Sequence, residues 1–206
     1  MARTLGERAL ALAIKDIGTR EVPPGSNTGP RVREMQANTW LPGTRWPWCA
    51  AACCTWYEEA GYKLPDPSAG AKDLTQRAAR NGWGRSVPIR DAPAGAIVSF
   101  NIGSGHVALL ERYDARTGMV HTVDGNASDM VKRCERPASL VYMAVVVRGD
   151  PGAPRPAKPK GPWRQVVTSE SGTEVVVYRS RNLDRVLRKA SNLVRRGAKR
   201  VTVERG

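Results

Sequence analysis

The sequence predicts an α+β fold, and three observations carry that expectation. Apolar residues recur at helical spacing through the first eighty positions. Runs rich in Val, Ile and Leu take over from about residue 96. A turn signal, Asp114-Ala-Arg-Thr-Gly118, joins two of those runs. Helices first, with an antiparallel meander after them, is the α+β order.

The elements follow in order. Residues 3–17 set Leu5, Ala9, Leu10, Ala13, Ile14 and Ile17 on one helical stripe, which Gly18 ends. Residues 22–30 read as loop, and Pro30 suits the first turn of a short helix reaching Met35. Residues 40–48 are irregular and aromatic. Cys49 to Ala60 turns helical, with Gly61 as a natural stop, and a further helix is expected from Ala69 to Arg80. Strands are expected at Ala96–Phe100, His106–Tyr113, Gly118–Asp124 and Leu140–Val147.

Residues 151–162 hold five prolines in twelve positions, a semi-extended linker. Beyond it, Trp163–Thr168 and Glu174–Tyr178 read as a hairpin, Asn182–Arg196 as a helix and Lys199–Glu204 as a last strand. The expected organisation is a larger domain over 1–150, the linker over 151–162, and a small basic ββαβ module over 163–206.

Composition bounds the function. At 41% hydrophobic and 25% charged residues the chain has enough apolar side chains for a real core, which argues against wholesale disorder. No run approaches the roughly 18 apolar residues of a membrane helix. The stretch before Lys15 does not read as a secretory signal, so the expected product is made in a cytoplasm without an export signal of its own. The net charge is +14, of which +10 falls in residues 151–206. A positive field concentrated in this way implies a polyanionic partner: nucleic acid, anionic lipid or an anionic cell-wall polymer.

There are four cysteines, Cys49, Cys53, Cys54 and Cys134. Three crowd into six residues without a second ligand pair at zinc spacing. Cys134 and His121 are poor recruits, so no metal is expected. A chain of this length needs no disulfide framework, and the plain reading is buried small hydrophobes with one reactive thiol at most.

That thiol is best sought in Trp46-Pro47-Trp48-Cys49-Ala50-Ala51. A cysteine in the first turn of a helix, just after a proline-containing loop, meets unpaired backbone N–H groups and the positive end of the helix dipole. Both favour the thiolate, and the same N–H groups can hold an oxyanion. The plain alternative, a buried structural cysteine, fits Cys53 and Cys54. A nucleophile needs a base, and there are two histidines. His106 opens a strand after Gly103-Ser-Gly105, where one edge of the ring stays open, whereas His121 sits in mid-hairpin. Asp124 and Asn126 close the strand expected to pair with that of His106. Residues two apart in an extended segment point the same way, so either can reach the ring, or simply make the turn.

These motifs, in this order, resemble the CHAP family of cysteine, histidine-dependent amidohydrolases/peptidases. They are Trp48-Cys49-Ala50-Ala51, Ala92-Pro93-Ala94-Gly95-Ala96-Ile97-Val98, Gly105-His106-Val107-Ala108 and Val123-Asp124-Gly125-Asn126. The lead-in from Glu21 to Val32 is also similar, and the likeness covers roughly residues 5–148. It implies a papain-like helix-plus-antiparallel-sheet domain, with Cys49 as nucleophile, His106 as base, and Asp124 and Asn126 as candidates for orienting the imidazole. Asp124 stands where relatives often have Glu, and Ala96 follows Gly95 where the family usually has Asp. No dense Asp/Asn loop of the calcium-binding sort precedes Cys49, so neither metal nor cofactor is expected.

The implied activity is that of a phage-type lysin: hydrolysis of bacterial peptidoglycan at an amide or peptide bond of the stem peptide. Trp46 and Trp48, with Trp40, either line the cleft against substrate or pack beneath the catalytic loop. The basic module would then target an anionic wall polymer. The protein would act on the wall after holin release from the host cytoplasm, or as part of a virion. The alternative is an interaction protein whose basic module binds nucleic acid through Arg181, Arg185, Arg188, Lys189, Arg195 and Arg196.

Overall fold

The computed structural model describes residues 3–149 throughout and, beyond them, the backbone of Trp163–Thr168, Glu174–Ser180 and Val201–Arg205. The expected linker at 151–162 and the expected helix at Asn182–Arg196 lie outside the described residues. The chain divides into two units, Met1–Pro154 and Arg155–Gly206.

The first unit is α+β. Four helices, α1 (Leu5–Lys15), α2 (Pro30–Ala37), α3 (Cys49–Glu59) and α4 (Ala71–Arg80), precede all six strands of a sheet. Its strands are β1 (Gly84–Val87), β2 (Ile97–Phe100), β3 (His106–Asp114), β4 (Met119–Asp124), β5 (Lys132–Pro137) and β6 (Val141–Val147). The order is β1-β6-β2-β3-β4-β5, every neighbouring pair antiparallel. The β3–β4 connection is the expected turn, closed by Gly118 N–H to Asp114 O at 2.8 Å. The Asp114 carboxylate also accepts from Arg116 N–H at 2.9 Å.

Both faces of the central strands are covered, which is why they read as continuous apolar runs. On one face Ile97, Val107, Leu109, Val123 and Val145 meet the helices. On the other Val98, Phe100, Ala108, Leu110, Val120 and Ala144 form a second core, capped by Ile89, Ile102, Tyr113 and Leu140. Helix α3 is buried from Cys49 to Tyr57 on every side, so its many alanines and cysteines are what lets α1, α2 and β3 approach it closely. Helix α1 opens with a capping box in which Thr4 and Glu7 bond each other's backbone N–H.

Two close approaches fix the helices on the sheet. A Cβ at Gly95, where φ is +84°, would fall 2.0 Å from Gly6 O of α1, so only glycine fits there. A Cβ at Gly125 would fall 2.5 Å from Ala52 Cβ and 3.1 Å from the Trp48 ring, so the end of β4 lies directly against the first turn of α3.

Two strands escape the sequence reading. β5, Lys-Arg-Cys-Glu-Arg-Pro, is an edge strand whose alternate residues are half-buried and exposed. Its polarity conceals the alternation, and charge is what an edge strand uses to discourage further pairing. β1 is only four residues long and contains a glycine, which weakens any strand signal.

In the second unit β7 (Trp163–Thr168) pairs antiparallel with both β8 (Glu174–Ser180) and β9 (Val201–Arg205), in the order β8-β7-β9. No helix among the described residues is long and apolar enough to cross a membrane.

Candidate active site

Three elements of the first unit meet at one end of the sheet's inner strands: the start of α3, the start of β3 and the end of β4. They bring together three of the four residues singled out for catalysis. Cys49 is the first residue of α3 and is 5% exposed, so its thiol is reached only from one side. Its thiol stands beside the His106 ring, near enough to favour the ring's charged form. The ring's Nε2 lies 2.6 Å from Asp124 Oδ2, which leaves Nδ1 as the nitrogen for the thiol.

Asp124 is fully buried and fully used. Its Oδ2 also takes the Arg136 guanidinium at 2.7 Å, and its Oδ1 accepts from the Thr122 hydroxyl at 2.5 Å. Arg136 in turn donates to Thr122 Oγ1 at 3.2 Å and lies over the Phe100 ring, 5.0 Å from its centroid.

The electrostatics follow from this packing. Burial opposes a charge on His106, but the hydrogen bond to Asp124 and the neighbouring Cys49 thiol outweigh it and raise its pKa to about 9. Burial likewise pushes Asp124 up, yet His106, Arg136 and Thr122 together hold it below the usual carboxylate value. The other thiols of α3 are in a different state. Burial drives Cys53 well above an ordinary thiol and Cys54 to about 12, so neither ionises at neutral pH.

The fourth candidate, Asn126, is elsewhere. Alternation along an extended strand would have aimed it at the ring, but its φ is +56°, a left-handed turn conformation that ends the alternation. Its amide instead lies 3.2 Å from Glu21 Oε1 and 3.1 Å from Trp48 N. With nitrogen toward the carboxylate and oxygen toward the N–H, it satisfies both. Glu21 is 2% exposed and also accepts from Trp48 Nε1 at 2.9 Å and from Asn27 N–H at 2.7 Å. Asn126 therefore braces the loop that delivers Cys49.

Of the two places left open for the tryptophans, Trp48 takes the inner one: it is fully buried against Gly125. Trp46 is partly buried, with Nε1 donating to Gly43 O at 3.2 Å, while Trp40 is 57% exposed and stands over Arg77. His121 lies on β4 beside Glu135 at 3.8 Å and Arg112 at 3.4 Å, away from the thiol.

A cleft of about 360 Å³ opens beside His106, bounded by the Gly103–Gly105 loop, Asn126–Ser128 and the Lys132, Cys134 and Arg136 side of β5. Among the described residues no group of three or more His, Cys, Asp or Glu is placed to hold a metal ion.

Sequence reasoning missed Arg136, Thr122 and Glu21. Arg136 sits in the charged strand that did not read as a strand. Thr122 lies two residues before Asp124 on the same face, a spacing that was available. Glu21 acts through partners 27 and 105 positions away, which no local pattern reveals.

No protein-family model matches the chain, and neither does any curated protein. Among solved structures it is similar to the crystal structure of a wild-type endolysin, LysIME-EF1. The identity is 11%, the match covers 95% of this chain and 86% of that one, and the TM-score is 0.41.

Proposed function

We propose that the chain is a cysteine hydrolase of the phage-lysin kind, cleaving an amide or peptide bond in the stem peptide of bacterial peptidoglycan. The observation that carries this reading is the His106 ring held between the Cys49 thiol and the buried Asp124 carboxylate. A raised imidazole pKa beside a thiol at a helix start favours the thiolate–imidazolium pair that acyl transfer uses. The motifs resembling the CHAP family supply the substrate class, and with it the papain-like comparison.

The steps balance in protons and bonds. The Cys49 thiolate attacks the scissile carbonyl carbon, and the carbonyl π pair moves to oxygen. The Cys49 and Ala50 N–H groups precede the first intrahelical bond, Ala52 N–H to Trp48 O at 2.9 Å, and no side chain caps them, so they are free to bind that oxyanion. The imidazolium of His106 gives its proton to the departing amine as the C–N bond breaks, leaving a thioester. Neutral His106 then takes a proton from water, whose oxygen attacks the thioester. A carboxylic acid leaves and the thiolate returns. Asp124 keeps the ring oriented throughout and stabilises it whenever it is charged.

In this reading residues 1–150 are the catalytic domain, 151–162 the linker and 163–206 a basic module that holds an anionic wall polymer. The bond is cut after release through a holin or from a virion. The deciding experiment is zymography on purified cell walls with full-length protein and Cys49→Ala. Clearing by the first and none by the second supports the reading. Equal clearing, or none by either, overturns it.

A further inference from the structure

The cleft beside His106 is lined by three side chains that carry or can carry positive charge, His106, Lys132 and Arg136, and by no carboxylate. Two of the three are committed, since His106 Nε2 and Arg136 Nη2 both bond the same oxygen of Asp124. Lys132 is not. Its Nζ donates to Ser128 Oγ at 2.9 Å, and it forms no ion pair with any described residue. Asp124, its register partner across β4–β5, has both oxygens occupied.

An ammonium carries three donors, so Lys132 has donors to spare in a concave site that His106 also lines. A charge in a partly enclosed cleft is screened less than one on an open surface, and a carboxylate placed there gains a charge-assisted hydrogen bond. Alternation along β5 supplies the placement. Lys132, Cys134 and Arg136 share the half-buried face, while Arg133 pairs with Glu111 at 2.9 Å on the other.

We propose that this cleft is an anion subsite in which Lys132 binds a carboxylate of the substrate close to the scissile amide. The inference rests on the hydrolase reading and narrows its substrate class to peptides bearing a free carboxylate beside the bond cut, at the expense of their amidated forms. Lys132 is the selecting residue. Arg136 shapes the cleft, but its charge is held by Asp124.

The test uses two soluble muropeptides identical except that the glutamate residue carries a carboxylate in one and the carboxamide in the other. kcat/KM is measured for the full-length protein, Lys132→Gln and Lys132→Glu. Kd for both peptides is measured by calorimetry on Cys49→Ala and on Cys49→Ala/Lys132→Gln. The unaltered protein should favour the carboxylate by roughly ten- to hundredfold, carried mainly by KM. Lys132→Gln should level the two substrates and Lys132→Glu should invert the order. Equal use of both peptides by the unaltered protein, or a preference that survives Lys132→Gln, overturns the subsite and leaves the hydrolase standing. Turnover of neither peptide, with a carboxylate preference in Kd that Lys132→Gln removes, sinks the hydrolase and keeps the subsite. Binding of neither sinks the subsite.

Discussion

Arg136 and His106 share one oxygen of Asp124: Nη2 of the arginine lies 2.7 Å from Oδ2, and Nε2 of the histidine 2.6 Å. The carboxylate is thus held ionised from two sides, while Arg136 takes part of the negative charge that would otherwise act wholly on the imidazole. Arg136 is a positioning residue in this arrangement. Arg136→Gln should let the Asp124 pKa rise, because the buried carboxylate loses a cation, and let the His106 pKa rise further, because the aspartate's charge is no longer shared. Both limbs of the pH profile of kcat/KM should move up together. A uniform loss of activity with both limbs unmoved would reduce Arg136 to a packing role.

Cys49→Ala should abolish wall lysis, by at least about a thousandfold, without unfolding the protein, since the site is a helix start that tolerates alanine. Cys53→Ala should keep activity and lose roughly 1 kcal/mol or more of stability, because it opens a void in a fully buried position. Zymography and thermal melts on the two variants separate these outcomes. Equal inactivation would mean that the nucleophile is misassigned.

The pKa of His106 rises from its usual 6.5 to about 9 in the folded protein. Its folded value lies above its unfolded one, so the charged ring stabilises the fold fully below about pH 6.5. That contribution fades as pH climbs toward 9. The urea midpoint of the natural protein should therefore exceed that of His106→Gln by more at pH 6 than at pH 9.5. The alkaline limb of kcat/KM should fall near pH 9, as the imidazolium acid is lost. His121→Ala should change neither.

Asp124→Ala and Asn126→Ala should differ in kind. The first removes the ring's partner and should cost roughly a thousandfold in activity. The second removes a bond to buried Glu21 and should cost about 1–3 kcal/mol of stability, with activity falling only as far as the Cys49 loop loosens. Paired melts and rates on soluble muropeptides check this. A variant at Asn126 as inactive as that at Asp124, and as stable as the natural protein, would put Asn126 in the chemistry.

Removing residues 151–206 takes away +10 of the +14 charge. Protein ending at residue 150 should turn over soluble muropeptides much as the full chain does, and should clear intact walls more weakly, most visibly at low salt where charge reaches furthest. Equal clearing of walls at low and high salt would rule out electrostatic targeting. Tight binding of duplex DNA by the full chain, lost on truncation, would favour the nucleic-acid alternative for this module.

What could be read from the sequence depended on whether the signal was local. The helix beginning at Cys49 and the strand beginning at His106 were legible, because residue type and position agree at each. Asp124 was legible only as one of two, since the left-handed turn at Asn126 breaks the alternation that made both plausible. Arg136 was hidden because a charged edge strand has no apolar rhythm to betray it. The Glu21–Trp48–Asn126 brace was hidden because its members are joined only in space.

The brace also orders events in time. Arg20 pairs with Met130 in an isolated bridge, which closes roughly 110 residues into one loop, and such closures come late because their entropy is lost before their contacts repay it. Synthesis runs at about 5–20 residues per second. Cys49 therefore leaves the peptidyl-transfer centre several seconds before Asp124 and Arg136 exist. Through that interval the thiol has no charged imidazole beside it. A chain cut short before Val123 lacks the carboxylate and the guanidinium that hold His106 in place, so the site is complete only when nearly the whole of the first unit has been made.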